Sequence, residues 1–424
     1  MNYKSYIFNH NKNLCSGCGA CTQVCKHNAL EMQPDNEGFL YPALDSQKCI
    51  QCGLCDKICP MVSENHQENI NQNHSAYLAT SRNKDFGKNS ATIGLCTWIS
   101  LDCIKKEGIV FGVILDETDW KAKHISTNST DMIEKMRNSK YLQSDTKQTF
   151  TEVKHLLESK KYVVYIGTPC QIAGLKSFLR KSYENLLTID IVCHGVFSPK
   201  LVPLEVQYWE NKFKGKLYNL RFRSKRIYPW NAGGIVNFDI KDSHNHIKHI
   251  ERHAISSPTY YCFAYSKDGY NYNLRKCCYT CPFRGKGRYA DITVGDAWGI
   301  SAKYKDLFTQ YNRNNGISCL LCNTEKGIKI VDSLYTQFNL YQIPKEDLFS
   351  QPAFLPTNKD IPLKRKIIYE NSHMPYGELI EHLFQINLDH ENSREKWKYH
   401  KIQIKSFIKN TFKLKWISKR KSNN

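Results

Sequence analysis

The sequence predicts two folds in one chain: a small α+β domain organised around thiols, then a mixed, largely parallel-sheet α/β domain that ends in a helical basic tail. Three observations carry this. Eight of the 18 cysteines fall between Cys15 and Cys59. From residue 96 onward, apolar runs of strand length alternate with segments of helix length. The last 29 residues, 396–424, hold ten Lys or Arg and no acid, half of the chain's net charge of +20. A length of 424 residues suits roughly two or three domains.

The eight N-terminal cysteines form two copies of C-x2-C-x2-C-x3-C: Cys15, Cys18, Cys21, Cys25, then Cys49, Cys52, Cys55, Cys59. This is the spacing of bacterial two-cluster ferredoxins, in which the fourth thiolate of each run serves the other run's cluster. Cys15, Cys18, Cys21 and Cys59 are therefore expected to hold one 4Fe–4S cluster, and Cys49, Cys52, Cys55 and Cys25 the second. Gly17, Gly19 and Gly53 give the backbone the freedom to turn around such a group. Zinc is the alternative for clustered thiols, but zinc sites present cysteines in pairs rather than as triplets plus one. The N-terminus shows no apolar run of a secretory signal, and the reduced thiols such chemistry needs point to the cytoplasm. The longest apolar stretches, Ile109–Leu115 and Leu186–Cys193, are far shorter than the ~18–20 residues a membrane span needs.

Residues 1–62 make the thiol-rich domain, and the Asn-, Gln- and His-rich segment 63–75 reads as a linker. Residues 76–345 then make the α/β domain. Helices are expected at Cys96–Lys106, Asp131–Arg137, Phe150–Lys160 and Pro169–Arg180, and strands at Ile109–Leu115, Tyr162–Ile166 and Leu186–Val192. Two strand-like segments within 217–242 have no helix between them, so an antiparallel insertion is expected there. Residues 346–424 form a C-terminal extension. Lys401, Lys405, Lys409 and Lys413 recur every fourth residue with apolar residues between them, as on a basic amphipathic helix. Such a tail is either a solvated terminal helix or a peripheral contact for anionic lipid or an acidic partner. Nothing resembles a nucleic-acid recognition element.

Four more thiols suggest a third site. Cys170 follows a strand in Gly167-Thr168-Pro169-Cys170, with Thr168 as N-cap and Pro169 at the first helical position. There the helix dipole is expected to lower its pKa. Cys193 ends the next strand, and two adjacent parallel strands bring their carboxyl ends together on the ligand-binding side of the sheet. Cys278 and Cys281 add a C-x2-C pair. The bland alternative is that Cys170 and Cys193 are buried apolar side chains. Cys262 and Cys277 are alternative ligands, while Cys96 and Cys103 read as core. Cys319 and Cys322 lie three apart in a strand-like run, so they point to opposite faces and share no metal.

Several segments resemble the family of coenzyme F-420-reducing hydrogenase and dehydrogenase beta subunits: KNSATIG at 88–94, RNSKYLQSD at 137–145, GTPCQIAGLK at 167–176, IDIVCHG at 189–195 and CYTCPFRGKGRYADITVGDAWG at 278–299. With the ferredoxin segment in front, the resemblance covers roughly residues 12–330. It implies an α/β domain holding FAD beside a 4Fe–4S cluster. The cluster thiols map to Cys170, Cys193, Cys278 and Cys281. Flavin contacts map to Ser90, Thr92, Gly94, Ser139, Lys140, Tyr141, Gln143, Ser144, Gly167 and Thr168. One departure is Ile93, where the family usually has glycine in a Ser-Gly-Gly run, so a β-branched side chain stands where a close backbone approach or a positive φ is called for.

The expected activity is that of an iron–sulfur flavoprotein oxidoreductase. Clusters exchange single electrons, and flavin converts them to hydride equivalents for an organic substrate. No catalytic residue is assigned; His194 reads as structural rather than as a proton donor. The alternative is a non-catalytic electron-transfer subunit wiring a partner enzyme. The positive charge favours an acidic redox partner such as a ferredoxin. Coenzyme F-420 itself has no separable signature.

Overall fold

The structure, a computed structural model, describes residues 3–62, 75–83, 85–230, 234–311, 315–401 and 404. In the N-terminal domain an antiparallel ribbon, β1 (Leu30–Pro34) and β2 (Leu40–Leu44), accompanies the short helices Ala20–Val24 and Leu54–Lys57. Each helix starts from a glycine with positive φ, Gly19 at 78° and Gly53 at 71°. A residue without Cβ turns the chain sharply there, right after the second cysteine of each run.

The remainder is built on a nine-stranded sheet. It begins with β3 (Ser75–Ser81), β4 (Ile109–Asp116), β5 (Lys121–Thr127), β6 (Ser144–Asp145), β7 (Val163–Gly167) and β8 (Leu186–Ile191). A separate antiparallel sheet follows: β9 (Lys216–Arg221), β10 (Ile235–Lys241) and β11 (Ile247–His253). The first two of its strands match the expected antiparallel insertion; β11 has no counterpart in the sequence reading. The chain then rejoins the large sheet as β12 (Ile292–Asp296), β13 (Ser318–Cys322) and β14 (Phe338–Ile343). The order across that sheet is β14-β3-β13-β12-β8-β7-β4-β5-β6.

The central strands β12, β8, β7 and β4 are mutually parallel, as are β5 and β6 at one edge. Both β13 and β14 pair antiparallel with β3, β12 with β13, and β4 with β5. The sheet is therefore mixed rather than largely parallel. Parallel neighbours need a crossover, which the helices Thr149–Glu158 and Pro169–Leu179 supply around β7. β4 and β5 are joined by a short turn that can only reverse direction.

Helices cover both faces. Helices Leu95–Lys105, Thr130–Met136 and Glu325–Leu334 place Ile99, Ile133 and Val331 against Val164, Leu187 and Ile189. On the other face, helices Thr149–Glu158 and Pro169–Leu179 place Phe150, Val153, Ile172 and Leu175 against Phe111, Val163 and Tyr165. Val163, Val164 and Tyr165 alternate between these cores as a two-residue period requires.

The N-terminal domain is packed into the second core, to which Cys18, Ala20 and Ile58 belong. The Gln23 side-chain carbonyl accepts from the Phe150 and Thr151 amides at 2.8 and 3.2 Å, and the Thr146 hydroxyl donates to the Cys18 carbonyl at 3.0 Å. The C-terminal helices Leu363–Glu370 and Tyr376–Phe384 close over the other side. Their Ile368, Tyr369 and Tyr376 share a core with Cys15, Phe39 and Tyr41. Arg365, 2% exposed, donates to both carboxylate oxygens of Glu37 at 2.8 and 2.6 Å.

The expected linker 63–75, apart from Ser75, and the tail beyond residue 404 lie outside the described residues; residues 388–401 are helical and lead into that tail. Among the described residues no helix is long and apolar enough to cross a membrane. Glu37→Ala leaves Arg365 buried without its counter-charge and is expected to cost about 3 kcal/mol, read as a lower denaturation midpoint of the whole chain under anoxic conditions.

Candidate functional site

The structure gathers eleven of the twelve predicted ligand thiols into three sets. Cys15, Cys18, Cys21 and Cys59 line one cavity. Burial raises the Cys21 thiol well above its usual value, and Cys18, Cys15 and Cys59 repel its charged form further. Cys55 is pushed up to about 11 by burial, with Cys25 and Cys49 as its electrostatic neighbours; Cys52, the remaining thiol expected in that outer set, is exposed. Each run's fourth cysteine thus lies with the other run's triplet. Cys170, Cys193, Cys278 and Cys281 line a further cavity and repel one another.

Cys170 sits in the first turn of helix Pro169–Leu179, and Thr168 closes a capping box with Gln171. The expectation that the helix dipole lowers its pKa is not met. Burial prevails and pushes the thiol up to about 12, against a lowering hydrogen bond from Thr168. Such thiols become good ligands only when a metal displaces the proton. Among the described residues no three His, Cys, Asp or Glu converge as closely as a single metal ion requires.

Of the other cysteines, Cys103, Cys319 and Cys322 fall where the sequence suggested. Cys319 and Cys322 belong to two different cores on opposite faces. Cys103 and Cys262 are buried in apolar cores. Cys277 is buried and hydrogen-bonded to Cys278, and Cys96 lines the neighbouring large cavity. His194 is held neutral by burial, down to about 4, and accepts from Asn271 Nδ2 at 2.9 Å if that ring nitrogen is unprotonated, a packing role.

That large cavity has a volume of about 320 Å³ and lies at the carboxyl ends of β7 and β12. All ten residues expected to contact a flavin line it: Ser90, Thr92, Gly94, Ser139, Lys140, Tyr141, Gln143, Ser144, Gly167 and Thr168. Ile93 does not. It is fully buried in the core beneath, and the positive φ falls on Gly94, at 89°, which opens helix Leu95–Lys105. The β-branched residue therefore costs the cavity nothing. Lys140 lines the wall, but its ammonium donates to the carbonyls of Met136, Lys135 and Arg137 at 2.6, 3.0 and 3.0 Å. It caps the end of helix Thr130–Met136, and burial pulls it down to about 7.

Several residues at the site carried no signal in the sequence. Ser16 borders all three cavities just described. Asp296, at the end of β12, lines the large cavity and accepts from Arg223 at 2.9 Å, Trp298 Nε1 at 3.0 Å, Trp230 Nε1 at 3.2 Å and the Thr92 hydroxyl. Its carboxylate locks the two indoles in a parallel stack 4.0 Å apart. It lies within the quoted GDAWG run, the one place where its importance was legible. Lys225 donates to the carbonyls of Gly87, Thr92 and Asn315, holding the loop that carries Ser90 and Thr92. The buried Gln143 Nε2 has no hydrogen-bond partner among the described residues. Buried polar groups are almost always satisfied, so this orphaned atom at the cavity wall fits a polar ligand.

Asp296→Asn strands the Arg223 guanidinium and is expected to destabilise the chain by about 3 kcal/mol in denaturant melts. His124 on β5, hydrogen-bonded to Ser144 at 3.2 Å, is pulled down to about 4 by burial. The unfolded imidazole protonates first, near pH 6.5. Stability is full above that pH and falls on acidification, by about 2 kcal/mol at pH 5 from this residue. Melts at pH 7 and pH 5 should show the drop shrink in His124→Gln.

Residues 14–62 match the 4Fe–4S dicluster domain, and residues 160–346 match the family described as the C terminus of the coenzyme F420 hydrogenase/dehydrogenase beta subunit. The chain is 23% identical over 374 residues to the F subunit of the F(420)H(2) dehydrogenase of Methanosarcina mazei, covering 83% of this chain and 90% of that protein. It is 28% identical over 69 residues to a 7Fe ferredoxin of Hydrogenibacillus schlegelii, covering 16% of this chain and 80% of that one. A chain of the F420-reducing [NiFe] hydrogenase complex from Methanosarcina barkeri superposes with a TM-score of 0.41 at 14% identity, covering 74% of this chain and 93% of the other. Residues 160–346 thus match the C-terminal part of the coenzyme F420 hydrogenase/dehydrogenase beta subunit family, behind a segment that matches the 4Fe–4S dicluster domain.

Proposed function

We propose that this iron–sulfur oxidoreductase component passes electrons between two ferredoxin-type clusters, a third cluster and FAD, and exchanges them there with an organic substrate. Cys15, Cys18, Cys21 and Cys59 hold the inner cluster, Cys25, Cys49, Cys52 and Cys55 the outer one, and Cys170, Cys193, Cys278 and Cys281 the third. FAD occupies the large cavity and supplies the conversion between single electrons and hydride equivalents. One observation carries the reading: the inner thiol cavity, the third thiol cavity and the large cavity all meet at Ser16, and the last two also share Thr168 and Cys170. The protein's part is positional. Thr168 donates toward Cys170 at 3.2 Å, while Gln171 bridges Thr168 to Ser144, so one hydrogen-bonded chain orients both the ligand thiol and the cavity wall.

The net charge of +20 suits an acidic electron-carrying protein as partner. The Methanosarcina mazei relative, named as one component of a dehydrogenase, suggests that this chain too works within an assembly. Iron, sulfide and flavin measured on one anoxic preparation test the reading. About twelve irons and one flavin per chain are expected, and Cys278→Ser should lower the iron to about eight. Full iron with no flavin uptake would leave an electron-transfer protein in place of a flavoenzyme.

A further inference from the structure

Arg275 is fully buried, yet no carboxylate among the described residues pairs with it. The other fully buried arginines obey the usual rule: Arg288 pairs with Asp190 at 2.8 Å and Arg365 with Glu37 at 2.6 Å. The Arg275 guanidinium lies 3.9 Å from the centre of the Tyr41 ring. It donates from Nε to the Cys15 carbonyl at 2.8 Å and from one terminal nitrogen to Gln143 Oε1 at 3.2 Å. Its other terminal nitrogen reaches Cys15 Sγ at 3.4 Å. Burial keeps the Tyr41 hydroxyl neutral. A buried cation needs a counter-charge, and the sulfur it touches becomes one when it carries iron as a thiolate.

The outer set has no such neighbour. Its sulfurs take backbone donors, the Ala29 amide to Cys25 and the Gln51 amide to Cys49, both at 3.4 Å. Cys52 is exposed, and no arginine among the described residues bonds to this set. Positive charge and hydrogen bonds at a ligand sulfur favour the reduced cluster, which carries one more negative charge. We propose that Arg275 is the built-in counter-ion of the inner site at Cys15, Cys18, Cys21 and Cys59, and holds its reduction potential above that of the outer site. An electron shared between the two then rests on the inner one, beside Ser16 and the large cavity, as the outer one is reoxidised. Arg275 is a positioning residue in this scheme, and the inference rests on the cluster reading given above.

The test is EPR at poised potentials on the anoxic, cluster-loaded full chain, with Cys49→Ser identifying the outer centre by its loss. In Arg275→Gln the inner centre's reduction equilibrium is expected to fall at least tenfold, about 59 mV for one electron, while the outer centre keeps its potential. All centres at wild-type potentials, or inner and outer moving together, would overturn the inference. Should Arg275→Gln not retain its iron, Arg275→Met decides, because an unbranched, flexible side chain fills much of the same space without the positive charge. A fall confined to the inner centre supports the proposal, and wild-type values in Arg275→Met overturn it. A wild-type chain without four-iron signals defeats the cluster reading itself, a distinct outcome.

Discussion

The contact between the first cysteine loop and helix Pro169–Leu179 is the constraint on which the rest of the molecule depends. Gly174 on that helix faces Cys18 so closely that an added Cβ would lie 2.8 Å from the sulfur. Cys18 feels both Cys15 and Cys170 electrostatically. The N-terminal domain is therefore part of the α/β core. Small residues, side-chain amides and one threonine fasten it at the carboxyl side of the central strands, and any redox group held there stands at a fixed separation from the cavity.

From that contact the other features follow. The body must hold a thiol loop without burying loose polar atoms: Thr146 donates to the loop's backbone at Cys18, Gln143 accepts from the Leu40 amide of β2, and Gln23 reaches back to accept from the Phe150 amide of the body. The C-terminal helices complete the enclosure through Glu37 and the aromatic cluster around Phe39 and Tyr41. Two buried arginines near the N-terminal domain serve different ends. Arg365 fastens it with an ordinary ion pair, whereas Arg275 faces a sulfur. Enclosure raises the pKa values of Cys18, Cys21, Cys59, Cys170, Cys193 and Cys281, so metal loading and proton release are coupled.

Much of this was legible in the residues. The triplet-plus-one spacing paired Cys59 with the first run and Cys25 with the second, since short loops allow little else. The helices and central strands from 95 to 191 follow from periodicity and from the Thr168-Pro169 start signal. The sheet's mixed direction was less readable: Lys121–Thr127 is a polar strand, and apolar pattern alone cannot tell which way a neighbouring strand runs. The Cys170 pKa departs from its expected direction because a helix dipole can be read from sequence position, while depth cannot.

By itself the sequence determined the thiol spacing, the helices and central strands between residues 95 and 191 and the family resemblance, because these depend on spacing along the chain. Tertiary structure alone decided that Ser16 lies where three cavities meet, that Ile93 turns into the core, that Asp296 gathers two indoles and an arginine, and that Arg275 reaches Cys15 across 260 residues. Those juxtapositions join segments far apart in the chain. They are set by how layers pack and where charge can be buried, quantities that no local pattern of residues encodes.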